Sequence, residues 1–366
     1  MKIIPEDLVV AACLASPEET EAALRRWESA VPMDDIDGGS QRLVPYLYRK
    51  LERLGITARN HGILKGIYTR YWYLFNVQGM PTLTAVNAIL EPEEYLVLKG
   101  LALQSLVYGA DPPTRPCDDM DILVRQRDRP VVHDKLAAAG FRADGNKSPD
   151  IFLNNKIGIN MQRGTEAVDL QWGLYVGMMD PGFEDRLFSR KIALTISGFP
   201  AFTLCPTDHL LHTLMHGAAR NSVSPIRWVL DASLLISETT IDWELFVDEV
   251  KALGWARPVV RQLRLLQSKY SVPIPADVLT RVSALRSPWS IAVLDFSKNT
   301  SSVFLSRLLM LTTQQPLIVR QLGLHDAAPR NAVAIRTQAL SLYLRGARQE
   351  LKKQGLRDFL KMSTHR

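Results

Sequence analysis

Residues 95–124 read YLVLKGLALQSLVYGADPPTRPCDDMDILV, and the fold turns on them. Tyr95 to Leu98 is a short apolar run that ends at Lys99-Gly100. A helical stretch follows from Leu101 to Tyr108, then a turn-rich segment from Gly109 to Pro116 with three prolines. Asp119 to Val124 reads as a strand. Strand alternation puts Asp119 and Asp121 on one face and Met120, Ile122 and Val124 on the other. Two carboxylates that close repel when both are ionised. A divalent cation between them relieves this, and Mg²⁺ is commonly held by one or two carboxylates together with substrate phosphates. Asp118 points away from the pair. Upstream, a glycine at a strand-to-helix junction lets backbone N–H groups approach a phosphate at a helix N-terminus, and Lys99 adds positive charge there.

Outward from this stretch, Pro130 to Ala139 is a helix that stops at Gly140. Ile151 to Asn154 and Ile157 to Gln162 could form a hairpin, and Ala167 to Trp172 is a further strand. There Val168, Leu170 and Trp172 share one face, with Asp169 and Gln171 on the other. If this strand neighbours that of Asp119, three carboxylates converge. Strands and helices in this order predict an α+β fold, a small mixed sheet flanked by helices.

The flanks look helical. Upstream, an apolar-periodic segment opens at Pro5-Glu6-Asp7, and Ser16-Pro17-Glu18-Glu19 marks a helix start. A turn cluster from Asp34 to Ser40 precedes a helix over Leu43 to Leu54. A long helical pattern from His61 to Leu90 is broken near Gly79 and Pro81. Its aromatic stripe, Tyr68, Tyr71, Trp72, Tyr73 and Phe75, reads as core. After Trp172 the chain is expected to turn helical again: a helix capped by Thr207-Asp208, then Ile226 to Ile236, Asp242 to Leu253, and further helices to the C-terminus. The expected divisions are an N-terminal helical region over 1–90, an α/β core over 91–175, a helical domain over 176–290 and a basic helical region over 291–366.

Hydrophobic residues make up 46% of the 366 and charged residues 22%, which excludes a disordered chain and leaves enough apolar surface for a large core. Three scattered cysteines without a CxxC fit a reducing, cytoplasmic setting and exclude a zinc ribbon. No apolar run approaches the roughly 20 residues of a membrane span. Charge is uneven: residues 320–366 hold ten Lys or Arg against three Asp or Glu, while the whole chain is only +6. The pattern over Ala332 to Leu360 is that of a basic amphipathic helix, either a solvated face or a surface for RNA or an acidic partner.

The string LVLKGLALQSLVYGADPPTRPCDDMDILV, followed by AVDLQW and by DHLLHTLMHGAAR, RWVLDASLL and IDWELFVDEVKALGWARPV, resembles a family of uncharacterised nucleotidyltransferases. That family belongs to the DNA polymerase β-like superfamily, and the resemblance covers roughly residues 60–280. It implies a minimal nucleotidyltransferase fold with Asp119, Asp121 and Asp169 as the catalytic carboxylates. These would bind Mg²⁺, two ions with Mn²⁺ as an alternative. Asp169 would also help to deprotonate the acceptor. Gly100 maps onto the glycine that contacts the triphosphate, and Arg115 onto an arginine placed just before the DxD, a phosphate ligand. The superfamily often has Gly-Ser or Gly-Gly at the junction, so Lys99 would replace the missing hydroxyl in holding the nucleotide. Related sequences often have His where this chain has Gln171, which cannot titrate.

The expected activity is therefore Mg²⁺-dependent transfer of a nucleoside monophosphate from an NTP, ATP among the candidates, to an acceptor with release of pyrophosphate. A small molecule or peptide is the favoured acceptor, and the basic C-terminal region leaves RNA open. The alternatives are a toxin-type enzyme acting on tRNA and a non-catalytic nucleotide- or RNA-binding protein. His209, His212 and His216 share a helix face. His209 and His216 are too far apart along one helix for a single zinc ion, so packing and hydrogen bonding are expected of them. Arg227 and Asp231, one turn apart, could form a structural pair.

Overall fold

The computed structural model describes residues 5–33, 36–109, 111–143, 157–174, 182–217 and 224–287. By internal contacts the chain divides into two units. One spans 1–147, 157–176 and 180–285 and carries every element below. The other, made of 148–156, 177–179 and 286–366, lies almost wholly outside the described residues. The basic pattern over Ala332 to Leu360 and the first arm of the expected hairpin, Ile151 to Asn154, fall in that second unit, outside the described residues.

Six α-helices come first: α1 (Pro5–Leu14), α2 (Pro17–Ala30), α3 (Gly38–Gln41), α4 (Val44–Leu54), α5 (His61–Leu74) and α6 (Met80–Leu90). Pro17 stands in the first turn of α2, where its missing N–H costs nothing, with Glu18 and Glu19 on the positive end of the helix dipole. Asp37 caps α3 by accepting from the Ser40 N–H at 2.8 Å. Lys50 from α4 donates to the carbonyls of Ala12 and Cys13 at the end of α1, so one ammonium satisfies two carbonyls that the helix leaves orphaned. Where a break was expected near Gly79 and Pro81, Phe75–Gly79 forms a π-helical segment that joins α5 to α6. The wider turn absorbs the N–H that Pro81 lacks, so the chain bulges instead of stopping. The aromatic stripe is not all core: Phe75 is buried, but Trp72 and Tyr73 are 50% and 58% exposed.

The sheet has seven strands: β1 (Leu96–Val97), β2 (Met120–Leu123), β3 (Arg142–Ala143), β4 (Gly158–Arg163), β5 (Glu166–Gln171), β6 (Ile192–Ile196) and β7 (Phe199–Thr203). Their spatial order is β3-β4-β5-β2-β1-β7-β6. Pairing is parallel between β2 and β5 and between β1 and β7, and antiparallel elsewhere. The expected α+β class holds. The reading of an all-helical chain after Trp172 misses the β6–β7 hairpin, which extends the sheet past β1. The hairpin made by Ile157 to Gln162 is with β5, closed at Gly164 (φ 60°).

Helices α7 (Lys99–Val107) and α8 (Arg129–Ala138) lie within the sheet sequence. The face of β2 and β5 that bears Met120, Ile122, Val168 and Leu170 packs against Leu83, Val86 and Leu90 of α6 and Val132 and Leu136 of α8. Each such side chain taken out of water contributes about 1.5–3 kcal/mol. That burial decides which way the opposite, carboxylate-bearing face points. The remaining helices are α9 (Phe183–Ser189), α10 (Pro206–Gly217), α11 (Arg227–Glu238), α12 (Trp243–Leu253), α13 (Ala256–Tyr270) and α14 (Ala276–Ala284). Asp208 sits in the first turn of α10, but its carboxylate is taken by Arg190 at 2.9 and 3.1 Å, so it serves as a tether and not as a helix cap. No helix among the described residues is long and apolar enough to cross a membrane.

Candidate active site

The parallel pairing of β2 with β5 sets Asp121 directly opposite Asp169. Asp119, one residue before β2, keeps the same facing by alternation. One carboxylate oxygen from each of Asp119, Asp121 and Asp169 lies within 4.8 Å of the other two. Hard oxygen ligands so arranged suit a divalent cation such as Mg²⁺ or Mn²⁺. The electrostatics agree with such a role. Burial pushes the Asp121 carboxyl up to about 8, with Lys99 opposing and Asp119 and Asp169 adding to the rise. Burial and the neighbouring Asp169 raise Asp119 as well. Even with Lys99 beside them, Asp119 and Asp121 resist ionising together until further positive charge arrives.

Two side chains brace the carboxylates. The Gln171 amide donates to Asp121 Oδ1 at 3.0 Å and to Asp169 Oδ2 at 2.6 Å, so it ties the two strands together at their acidic ends. Lys99 donates to Asp121, and its ammonium is 3.7 Å from Asp169. Burial works against the Lys99 charge, but Asp121, then Asp169 and Asp119, outweigh it and hold its pKa above the usual lysine value. Lys99 thus reaches into the acidic cluster, and not only toward a phosphate as its place in the sequence implies.

The junction divides its demands between two residues. Lys99 has φ 44°, the left-handed region that costs a side-chain-bearing residue about 1 kcal/mol relative to glycine. The ion pair with Asp121 offsets that strain. Gly100 is needed for space: a Cβ there would come 2.5 Å from the Cβ of Cys117, in the segment that leads into β2.

All six residues singled out in the sequence, Lys99, Gly100, Arg115, Asp119, Asp121 and Asp169, border one cavity of about 320 Å³. Helices α10 and α11 line it as well, with His209, His212, His216 and Arg227, and so do Arg42 and Asp118. Asp118 is therefore not remote from the site, and it pairs with Arg42 at 2.7 Å.

Arg115 is committed elsewhere than to the cavity. Its Nε and Nη2 donate to the two oxygens of Asp231 at 2.7 and 2.9 Å, and its Nη1 to the Pro116 carbonyl at 3.0 Å. Tyr108 donates its hydroxyl to Asp231 at 2.6 Å. The expected partnership of Arg227 with Asp231 is thus replaced: Asp231 belongs to Arg115, and Arg227 donates to the Pro116 carbonyl.

The three histidines are neutral packing groups. Thr203 donates its hydroxyl to the Val97 carbonyl at 2.6 Å, so it accepts from His209 Nε2 at 2.7 Å, which puts the His209 proton on Nε2. Burial drives His209 down to about 3, with Arg115 adding to the fall, and His216 to about 4, with Lys99 adding. Burial also holds His212 well below its usual range. Among the described residues no group of three metal-ligand side chains includes a histidine.

The sequence model of a family described as uncharacterised nucleotidyltransferase matches residues 39–270, from α3 to the end of α13, with the whole acidic triad inside. No curated protein matches the chain. Among solved structures it is similar to an antigenic nucleotidyltransferase-like protein from Paracoccidioides brasiliensis, at 15% identity and a TM-score of 0.35, over 60% of this chain and 95% of that one.

Proposed function

This chain belongs to the uncharacterised nucleotidyltransferase family, and from that premise we propose that it is a Mg²⁺-dependent enzyme transferring a nucleoside monophosphate from an NTP to an acceptor. The observation that carries the reading is the acidic triad gathered by the β2–β5 register, with ligand oxygens within 4.8 Å of one another. Asp119, Asp121 and Asp169 would hold the metal, and Mn²⁺ would suit the same donors. A divalent ion held by these carboxylates would supply polarisation of the α-phosphoryl group and stabilisation of departing pyrophosphate.

The chain's own residues do the rest. Gln171 keeps Asp121 and Asp169 turned toward each other. Lys99 offsets negative charge as the phosphates arrive, with Gly100 beside it at the first turn of α7. The acceptor oxygen bonds to the α-phosphorus, the bond to the β-phosphate oxygen breaks, and Asp169 takes the acceptor's proton. Arg115 spends its guanidinium on Asp231 and the Pro116 carbonyl and so supports the cavity lining without offering its fork to a phosphate.

A cavity of about 320 Å³ suits a small-molecule or peptide acceptor better than a folded RNA. The three unpaired cysteines fit a cytoplasmic setting, where NTPs are plentiful.

Calorimetric titration of Mg²⁺ with each NTP, ATP first, against wild type and Asp119→Ala/Asp121→Ala tests the proposal. Metal-dependent NTP binding that the double variant loses is expected. Folded wild type that binds no NTP refutes the enzyme reading. Metal-dependent binding with no pyrophosphate release in the presence of candidate acceptors and cell RNA favours the non-catalytic alternative. Growth arrest on expression, relieved by Asp121→Asn and traced to modified tRNA, favours the toxin alternative.

A further inference from the structure

Among the described residues four cations border the cavity, and three already have a carboxylate: Lys99 has Asp121, Arg115 has Asp231, and Arg42 has Asp118. Arg227 differs. Its one hydrogen bond runs from Nη1 to the Pro116 carbonyl, an oxygen it shares with Arg115, and no carboxylate among the described residues lies within ion-pair distance. Arg227 itself lines the cavity.

Its position compounds the mismatch. Arg227 is the first residue of α11, and the preceding Ile226 offers no side-chain cap. A helix N-terminus already carries about half a positive charge, which favours an anion and disfavours a guanidinium. Burial first, then Arg115 and Arg42, pull the Arg227 pKa down to about 10, with Asp231 pulling the other way. A side chain held in such a place lacks an ion-pair partner among the described residues.

We propose that Arg227, together with the N-terminus of α11, binds the pyrophosphate end of the NTP, the β- and γ-phosphates. This rests on the nucleotidyl-transfer reading above. The guanidinium fork matches two phosphoryl oxygens at once. It stands at the start of α11 and lines the same cavity as the triad that would engage the α-phosphate. Arg115 serves as a buttress: its bonds to Asp231 and Pro116 fix the carbonyl on which Arg227 rests.

The test uses full-length wild type treated with phenylglyoxal, a reagent for arginine, with modification at Arg227 followed by peptide mass spectrometry. Mg·ATP and inorganic pyrophosphate are expected to slow modification about tenfold at ten times their dissociation constants, and AMP to leave it unchanged. In parallel, Arg227→Gln should weaken pyrophosphate binding about 10- to 100-fold, with Arg227→Lys between it and wild type. If Arg227→Gln does not fold, protection of the wild type still decides. Equal modification with and without pyrophosphate overturns the proposal, as does protection by AMP alone. Should wild type bind Mg·NTP normally while Arg227 stays unprotected, only this proposal falls. Should it bind neither NTP nor pyrophosphate, the nucleotidyl-transfer reading falls and takes the proposal with it.

Discussion

Replacing Asp231 by asparagine isolates the central polar contact beneath the cavity. Asp231 accepts three hydrogen bonds, two from Arg115 and one from Tyr108. Asp231 is 4% exposed and Arg115 5%. Asparagine keeps the shape and an acceptor for Tyr108, but it turns an NH₂ toward a guanidinium and leaves that charge unpaired. Breaking a buried ion pair from one side costs about 3–5 kcal/mol. Arg115→Met strands the carboxylate in the same way and should cost a similar amount. The double variant, Arg115→Met/Asp231→Asn, removes both charges and still satisfies Tyr108. It should lose only about 1–3 kcal/mol, the cost of an imperfectly bonded amide. The coupling energy is then at least about 3 kcal/mol, far outside the roughly 0.5 kcal/mol scatter of independent sites. Urea unfolding of the four proteins, followed by circular dichroism, gives the cycle. A cost under about 1 kcal/mol for Asp231→Asn, or additive single losses, would refute the pairing and return Arg115 to the nucleotide.

Three further outcomes follow from the geometry. Lys99→Met removes a cation from among the triad, so Mn²⁺ affinity without nucleotide, read by electron paramagnetic resonance, should rise roughly 10- to 100-fold; weaker binding would mean that Lys99 does not compete for that space. His209, neutral when folded with its pKa near 3 against about 6.5 unfolded, takes up a proton only on unfolding between those values, so its contribution is lost as pH falls through 6.5. The stability gap between wild type and His209→Asn should therefore shrink by about 2 kcal/mol from pH 7 to pH 5, and a constant gap would show a protonated histidine in the fold. Gly100→Ala should destabilise by about 1–3 kcal/mol through overpacking. Cys117→Ala should not rescue it, because the clash is with the Cβ of Cys117, and rescue by that variant would place the contact at the sulfur.

How much of this was legible in the sequence depends on the distance over which each feature acts. Alternation along Asp119–Val124 and Ala167–Trp172 needs only the period of a strand, and it assigned the faces of both. Their juxtaposition was a condition that the parallel register of β2 with β5 met. The β6–β7 hairpin also left a local mark. Ser197 and Gly198, with φ 48° and 91°, form a two-residue turn between runs that alternate in burial. The Ser-Gly turn joins two five-residue runs, and the patterns that follow it are helical, which is why the region reads as helix. The partners of the buried charges left no such mark. Arg115 and Asp231 stand 116 residues apart. Arg227, one turn from Asp231, was the nearer candidate by helix periodicity alone. What decides the outcome is that Arg115, just before β2, presents both fork nitrogens to Asp231, with Tyr108 completing its shell. A helix period ranks neighbours on one face, but it cannot weigh them against a bidentate partner from another element. The same choice leaves Arg227, among the described residues, without a carboxylate in ion-pair distance. Under the proposal above, the cation that reads from sequence as a structural partner thereby becomes one with charge to give to a ligand.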